Sequence, residues 1–445
     1  MAGVMPGLSQ WVWPDRKEQD ILASVSVQAS RRVRAPEPVE RLEECMENVL
    51  KEYPRTSVPL GFRESTSVAG NSKLLEKRIR NMIATQIKMT SSPGVPYTTL
   101  ATTNQQLFDE YEEFIIDVVM QRVERLKDMP SGLTPAEKVQ QGYADPVRWF
   151  IKYEPHAMRK STTKKWRLIM SVSVVDQIIE RLLFSNQNSV EIRNHLAIPS
   201  QPGMGLAHDE QTDKLWELFR DKVHEAAEAD VSGFDWSVQD WQLMWDAEAR
   251  IRLMGAEPSD LVSRVIRNRV RCLIDAVFVT ARGKLVQLQI SGIQLSGSYN
   301  TSATNSRMRW MVAKLVGVKW AYTMGDDCVE QYVPGAEAAY AKYGWTLRMY
   351  ERCVRQVEFC SHIFSDAGVH PSNVSKTVFR FVERCSRLGE VIPEEAYQLR
   401  YLVRHSPESA LIDSIIKSCE KASRTNSTKL NVEASPSQNQ EDPCL

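Results

Sequence analysis

Apolar side chains recur at three- and four-residue intervals over residues 72–89. Leu74, Leu75, Ile79, Ile83 and Ile87 line one side, and Lys73, Lys77, Arg78, Arg80 and Lys88 make the rest cationic. The same spacing predicts a helix over 105–127, with Leu107, Phe108, Tyr111, Phe114, Ile115, Val118, Val119 and Leu126 on its buried side. Further helices are expected at about 37–53, 175–183, 209–224, 237–271, 301–315, 336–345 and 370–420. Strands read differently, as short β-branched and aromatic runs: Ala276–Thr280 and Lys284–Gln289 around Arg282-Gly283, and Val318–Thr323 and Cys328–Val333 around Gly325-Asp326. Two prolines keep Thr90–Tyr97 from being helical, so it is expected as a fixed loop. Gln201–Gly205 is a glycine-rich connection, and from Ser423 on Ser, Thr, Asn, Gln and Pro dominate, which predicts a disordered tail. The mixture makes the chain α+β.

Composition narrows this picture. At 445 residues the chain is long enough for several domains or one large enzyme with subdomains, and a hydrophobic fraction of 42% is ordinary for a globular protein. Fifty-six basic and fifty-six acidic residues cancel, which disfavours a histone-like binder but leaves room for locally segregated charge. The eight cysteines show no Cys-x2-Cys pair and read as free thiols. The N-terminus has no basic segment followed by an apolar run, and no uncharged stretch is long enough to span a bilayer.

Three polar clusters carry the candidate chemistry. Met324-Gly325-Asp326-Asp327 puts adjacent carboxylates at a tight hairpin, where they repel unless a cation sits over them; a hard divalent ion suits them. Alone, the tripeptide fits an ordinary solvated turn. Upstream, Asp230-Val231-Ser232-Gly233-Phe234-Asp235-Trp236 ends a strand with Asp230 and carries Asp235 five residues on. Between the two lies Ser296–Asn305, in which Ser296-Gly297 would lead into a helix bearing Thr301 and Asn305 on one face. By itself this run also fits a linker. A fourth stretch, Arg148 to Arg167, holds seven cations (Arg148, Lys152, Arg159, Lys160, Lys164, Lys165, Arg167) against Glu154, a lining suited to a polyphosphate.

Taken in order, Asp-x4-Asp, Ser-Gly-x3-Thr-x3-Asn and Gly-Asp-Asp resemble motifs A, B and C of the RNA-dependent RNA polymerases of positive-strand RNA viruses. The wording from Asp230 to Ser237 is most similar to the sobemovirus and polerovirus group. The likeness extends over roughly residues 90–365: Thr90–Tyr97 resembles motif G, Trp149–Ile169 motif F, Thr346–Met349 motif D and Val357–His362 motif E. It implies a right-hand polymerase of fingers, palm and thumb, with an antiparallel palm sheet flanked by helices. It also implies template-directed RNA synthesis from NTPs by two-metal-ion nucleotidyl transfer, replicating a viral RNA genome. By the resemblance Asp230, Asp326 and Asp327 hold Mg2+ (or Mn2+). Asp235 and Asn305 read the ribose 2′-hydroxyl with Ser296, Gly297 and Thr301 in support, and Lys152, Lys160, Lys165 and Arg167 meet the triphosphate.

The expected division is 1–204 fingers and N-terminal extension, 205–240 palm, 241–290 fingers insertion, 291–364 palm, 365–422 thumb and 423–445 tail. The arginines at 250, 252, 264, 267, 269 and 271 are then expected toward the RNA backbone. The motif D lysine has no counterpart; Arg352 lies nearest and holds its proton too firmly to donate it. Cys360 is expected to pack rather than react. Expected partners are a single-stranded RNA template, nascent RNA and NTPs, with a viral protein primer and other replication proteins left open. The expected location is the host cell cytoplasm, with membrane-associated replication complexes left open and membrane association at most peripheral. Two rivals remain: a reverse transcriptase-like palm, although the usual aromatic-x-Asp-Asp is missing, and a non-enzymatic RNA-binding replication protein.

Overall fold

The computed structural model describes residues 7–206 and 208–433. The first six residues of the N-terminus, read for a leader, and residues 434–445 of the expected tail lie outside them. The backbone of the last helix, Ser409–Glu433, runs on beyond Ser423, where an unstructured tail was expected.

The central sheet has four antiparallel strands in the order Leu347–Arg352, Ala226–Val231, Asp327–Gln331, Ala321–Met324. Ala226–Val231 sits inside it and is buried at four of six positions, as a strand covered on both faces should be. Small residues at Ala226, Ala227 and Ala229 let its neighbours approach. The helix Thr301–Val316 packs against the Ala321–Met324 strand, and Asp240–Leu253 packs behind that helix.

A second four-stranded sheet has the order Leu168–Ser171, Val147–Ile151, Val277–Val279, Leu285–Gln287, so the hairpin around Arg282-Gly283 joins strands from the cationic segment. One of its pairings, Val147–Ile151 with Val277–Val279, is parallel. The helices Val68–Gln86, Asn104–Lys127 and Val174–Arg193 share the largest core with the central sheet's helices. A separate, smaller core forms among Val374–Leu388, Pro393–Leu402 and Ser409–Glu433, and Leu8 is part of it.

Several sequence expectations need correcting. Tyr111 breaks the helical geometry of Asn104–Lys127, and beyond that kink Phe114 turns out to solvent instead of inward. The 237–271 run is two helices, Asp240–Leu253 and Leu261–Ile274, and the 209–224 helix ends at Arg220. Two of the six arginines there, Arg250 and Arg269, are buried and do not face a nucleic acid, while Arg252, Arg264 and Arg271 stay exposed. Arg250 pairs with Asp246, and Arg269 with Asp176 and Glu180, all deeply buried. Arg252, Arg264 and Arg267 pair with Glu43, Asp128 and Glu248. Buried guanidinium groups need such partners, because an unpaired charge removed from water costs several kcal/mol, on the order of the 3–5 lost when one member is deleted.

Candidate active site

The acidic turn is a two-residue hairpin. Met324 pairs with Asp327, leaving Gly325 and Asp326 as the loop, and Gly325 takes φ +63°, open to a residue without a Cβ. The turn is braced from below: the Gly325 N–H donates to Ser306 Oγ at 2.8 Å, and Thr323 Oγ1 donates to the Ser306 carbonyl at 2.8 Å. Asp326 and Asp327 are thereby held at an exposed edge, with the Asp327 carboxyl crowded by the protein around it.

The neighbouring strand brings Asp230 to the same edge. Ala229 pairs with Cys328, and one step along this antiparallel register sets Asp230 beside Asp327, with side chains on one face of the sheet. On the other side of that strand the pairing slips between Leu347 and Met349. This bulge re-aims Arg348, whose guanidinium ion-pairs with the Asp230 carboxylate. Sequence reading gave Arg348 no role and named Arg352 only as the residue nearest the missing motif D lysine; Arg352 donates to the His224 carbonyl near the far end of the strand pair. Arg348 thus occupies the Asp230 carboxylate, and among the described residues no group of three His, Cys, Asp or Glu side chains is arranged to hold a metal ion.

The electrostatics do tie the acidic residues together. Burial, then the Asp326 and Glu358 charges, pushes the Asp327 carboxyl up to about 7. Burial, then Asp326, pushes Asp235 up to about 6, partly offset by the hydrogen bond from Asn305 Nδ2 to Asp235 Oδ1 at 3.1 Å. Arg167 acts on both carboxyls in the opposite sense, so this residue of the cationic segment lies near the acidic turn. The Asn305 Oδ1 atom is buried without a partner, an acceptor waiting for a donor.

The loop before the Thr301 helix is fixed by backbone bonds. Ser296 Oγ accepts from the Met170 N–H at 3.0 Å, and Thr301 Oγ1 donates to the Leu295 and Ser298 carbonyls at 2.8 and 2.9 Å. A Cβ on Gly297 would lie 2.1 Å from the Met170 carbonyl oxygen, so only glycine lets the loop cross that strand. Sequence reading also missed Glu180, buried on the Val174–Arg193 helix, whose Oε2 accepts from Ser298 Oγ and the Tyr299 N–H at 2.6 and 2.7 Å. Its signal was a carboxylate set between Ile178, Ile179, Leu182 and Leu183 on the helix.

The cations converge on Glu154. Lys152 lies 3.1 Å from it, and Arg167 and Lys376 are each 3.7 Å away. Burial opposes ionisation there, but Lys376, Lys152 and Arg167 outweigh it and hold Glu154 below its ordinary value. Lys160 is half-buried, its pKa lowered by burial and then by Arg167 and Lys376. Lys165 is exposed. Lys376, from the small helical core, was not anticipated. Cys360 sits in the turn after Val357–Phe359, and burial, then Asp327 and Asp326, raises its thiol far from reactivity.

Comparison with known proteins agrees with this layout. The chain is 40% identical to the "Replicase polyprotein P2AB" of Southern cowpea mosaic virus over 85% of its own length and 40% of the relative's. It is 36% identical to the "RNA-directed RNA polymerase" of Mushroom bacilliform virus over 81% of its length and 94% of that protein, and 32% identical to "Protein P1-P2" of Potato leafroll virus, strain Potato/Scotland/strain 1/1984, over 83% and 36%. The chain thus spans well under half the length of the Southern cowpea mosaic virus and Potato leafroll virus relatives. The solved "Sicinivirus 3Dpol RNA dependent RNA polymerase" superposes with a TM-score of 0.63 at 14% identity, covering 96% of this chain and 90% of that one, which shows a right-hand polymerase fold. A family profile described as viral RNA-directed RNA polymerase matches residues 13–375, a span that takes in the acidic hairpin, the Asp230 strand, the Thr301 helix and the cationic segment; the chain belongs to that family.

Proposed function

We propose that the chain copies a single-stranded RNA template, joining NTPs by nucleotidyl transfer in replication of a viral RNA genome. The observation that carries this reading is the acidic hairpin facing Arg167, with Asp326 acting on Asp235 and Asp327 and Arg167 opposing it. An acidic edge opposite a cationic one suits a reaction whose substrate brings a triphosphate and whose leaving group is pyrophosphate.

The chemistry of the carboxylates suits divalent ions, although their present arrangement does not gather three of them. Burial, then the charges of Asp326 and Glu358, raises Asp327, so a cation there would relieve the repulsion, and hard carboxylate oxygens suit Mg2+ or Mn2+. Asp230 would complete the set once Arg348 releases it. Bound there, such ions would lower the pKa of a 3′-hydroxyl and neutralise the departing phosphates. The chain's own groups do the rest. Lys152, Lys160, Lys165 and Arg167 receive the triphosphate. Glu154 balances Lys152 and Arg167 while no substrate is present. The unpartnered Asn305 Oδ1 accepts from a ribose 2′-hydroxyl, the group that separates NTP from dNTP, and Asp235 holds Asn305 in place.

In this reading 1–204 and 241–290 form the fingers, 205–240 and 291–364 the palm and 365–422 the thumb. Partners are template, nascent RNA and NTPs. Purified chain given a defined single-stranded RNA, four NTPs and Mg2+ or Mn2+, with and without primer, should make complementary RNA. Asp326→Ala should lower the rate on the order of a thousandfold or more, since the charge of the transition state loses its counter-ion. Extension by that variant at a near-normal rate would reject the assignment.

A further inference from the structure

The basic run Arg31-Arg32-Val33-Arg34 belongs to none of the motifs above, yet one of its members reaches into the site. Arg32 sends its guanidinium to two separate stretches of backbone. It donates to the Trp236 carbonyl, just past Asp235, and to the Ser291 and Gly292 carbonyls at 2.8 and 3.2 Å. A longer contact goes to the Val238 carbonyl at 3.4 Å. The run is itself pinned: Gln239 Oε1 accepts from the Ala35 N–H at 3.0 Å, and Gln239 Nε2 donates to the Val33 carbonyl at 3.1 Å.

Those two stretches carry the ribose-reading pair. The Gln294 N–H donates to the Asp235 carbonyl at 2.9 Å, directly joining them. From Leu295 the chain is tied through Thr301 Oγ1 into the helix that presents Asn305. There is no slack between the stretches: Gly292 has φ +87°, and a Cβ there would meet the Asp240 nitrogen at 2.4 Å. We infer that Arg32 is a positioning residue for sugar selection, its guanidinium fork fixing the backbone on either side of the Asp235–Asn305 bond. A planar fork of several rigidly arranged donors spans both stretches, with one nitrogen on Trp236 and the other on Ser291 and Gly292; a lysine ammonium gathers its three donors at one point and lacks that span. Burial lowers the Arg32 pKa to about 10, which leaves it charged at neutral pH.

This inference rests on the reading of Asp235 and Asn305 as the ribose sensor, and the experiment separates the two. With the full chain, single-nucleotide incorporation opposite a defined template is measured for an NTP and its 2′-deoxy analogue. Arg32→Met and Arg32→Lys should each lower kcat/KM for the NTP about tenfold or more while changing the 2′-deoxy value by less than about twofold, since a small misplacement of a reading group is felt only by the substrate that uses it. Asn305→Ala should collapse the same ratio. Were Asn305→Ala to keep it, the ribose reading itself would fall. If Asn305→Ala collapses it but both Arg32 variants retain the wild-type ratio, or lose both substrates equally, the role assigned to Arg32 is overturned. Arg32→Lys keeps charge and stem and carries the test should the methionine variant not fold. Arg34→Met, at an exposed side chain, is the control and should leave the ratio unchanged.

Discussion

Asp235 shows how one side chain reports on its surroundings. Burial and then the Asp326 charge favour its neutral form, so its pKa in the fold, about 6, lies above the ordinary value near 3.8. The folded chain therefore holds this proton more tightly than the unfolded chain does. The resulting contribution to stability is fully present below about pH 4 and is lost as pH rises through about 6. Asp235→Asn removes the titration while keeping the shape. In denaturant melts at matched pH values, wild-type stability relative to Asp235→Asn should fall by at most about 3 kcal/mol between pH 4 and 7, the worth of a two-unit shift. Parallel pH profiles for the two proteins would show that Asp235 is solvated and not pressed by Asp326.

One scale up, the acidic hairpin and the Thr301–Val316 helix act as a unit. Ser306 Oγ donates to the Ser302 carbonyl at 2.7 Å while accepting from the Gly325 N–H, so a helical hydroxyl sets the height of the turn. Ser306→Ala leaves that N–H without its acceptor, a loss on the order of 1 kcal/mol. Steady-state primer extension should show kcat down about fivefold with KM for NTP little changed, because the turn acts on the reacting groups and not on substrate capture. A rise in KM at constant kcat would place Ser306 elsewhere in the reaction. This unit was legible in sequence, since the two-residue turn, the flanking strands and the Thr301/Asn305 spacing are all local. The arginines of the next helices were not. Their partners Asp176, Glu180 and Asp246, and Glu191 opposite Arg307, come from distant or neighbouring turns, and a linear reading cannot tell a solvated charge from one paired inside. Arg348 escaped for a related reason: a bulge aims it at Asp230, and strand alternation alone does not show where the register slips.

At the scale of the whole molecule, the segment near the N-terminus joins parts far apart in sequence. Leu8 is buried in the small core with Val374, Val378 and Ile412. Three residues later Trp11-Val12 pairs with His156-Ala157 within the cationic segment, and Trp11 Nε1 donates to Ser375 Oγ at 3.1 Å. Lys376 follows at once and reaches Glu154. The same strap that seats Leu8 therefore holds a cation of the C-terminal helices at the place proposed for the triphosphate. Truncating Leu8 opens a gap in a core of only three helices, and Leu→Ala changes at such sites cost about 2–5 kcal/mol. Because the small core is separate from the main one, the loss should stay local. Hydrogen exchange should quicken across 374–419 in Leu8→Ala and remain unchanged in the central sheet. Exchange that quickens everywhere equally would mean that the C-terminal helices and the sheet unfold as one body, and that the strap joins nothing that can come apart.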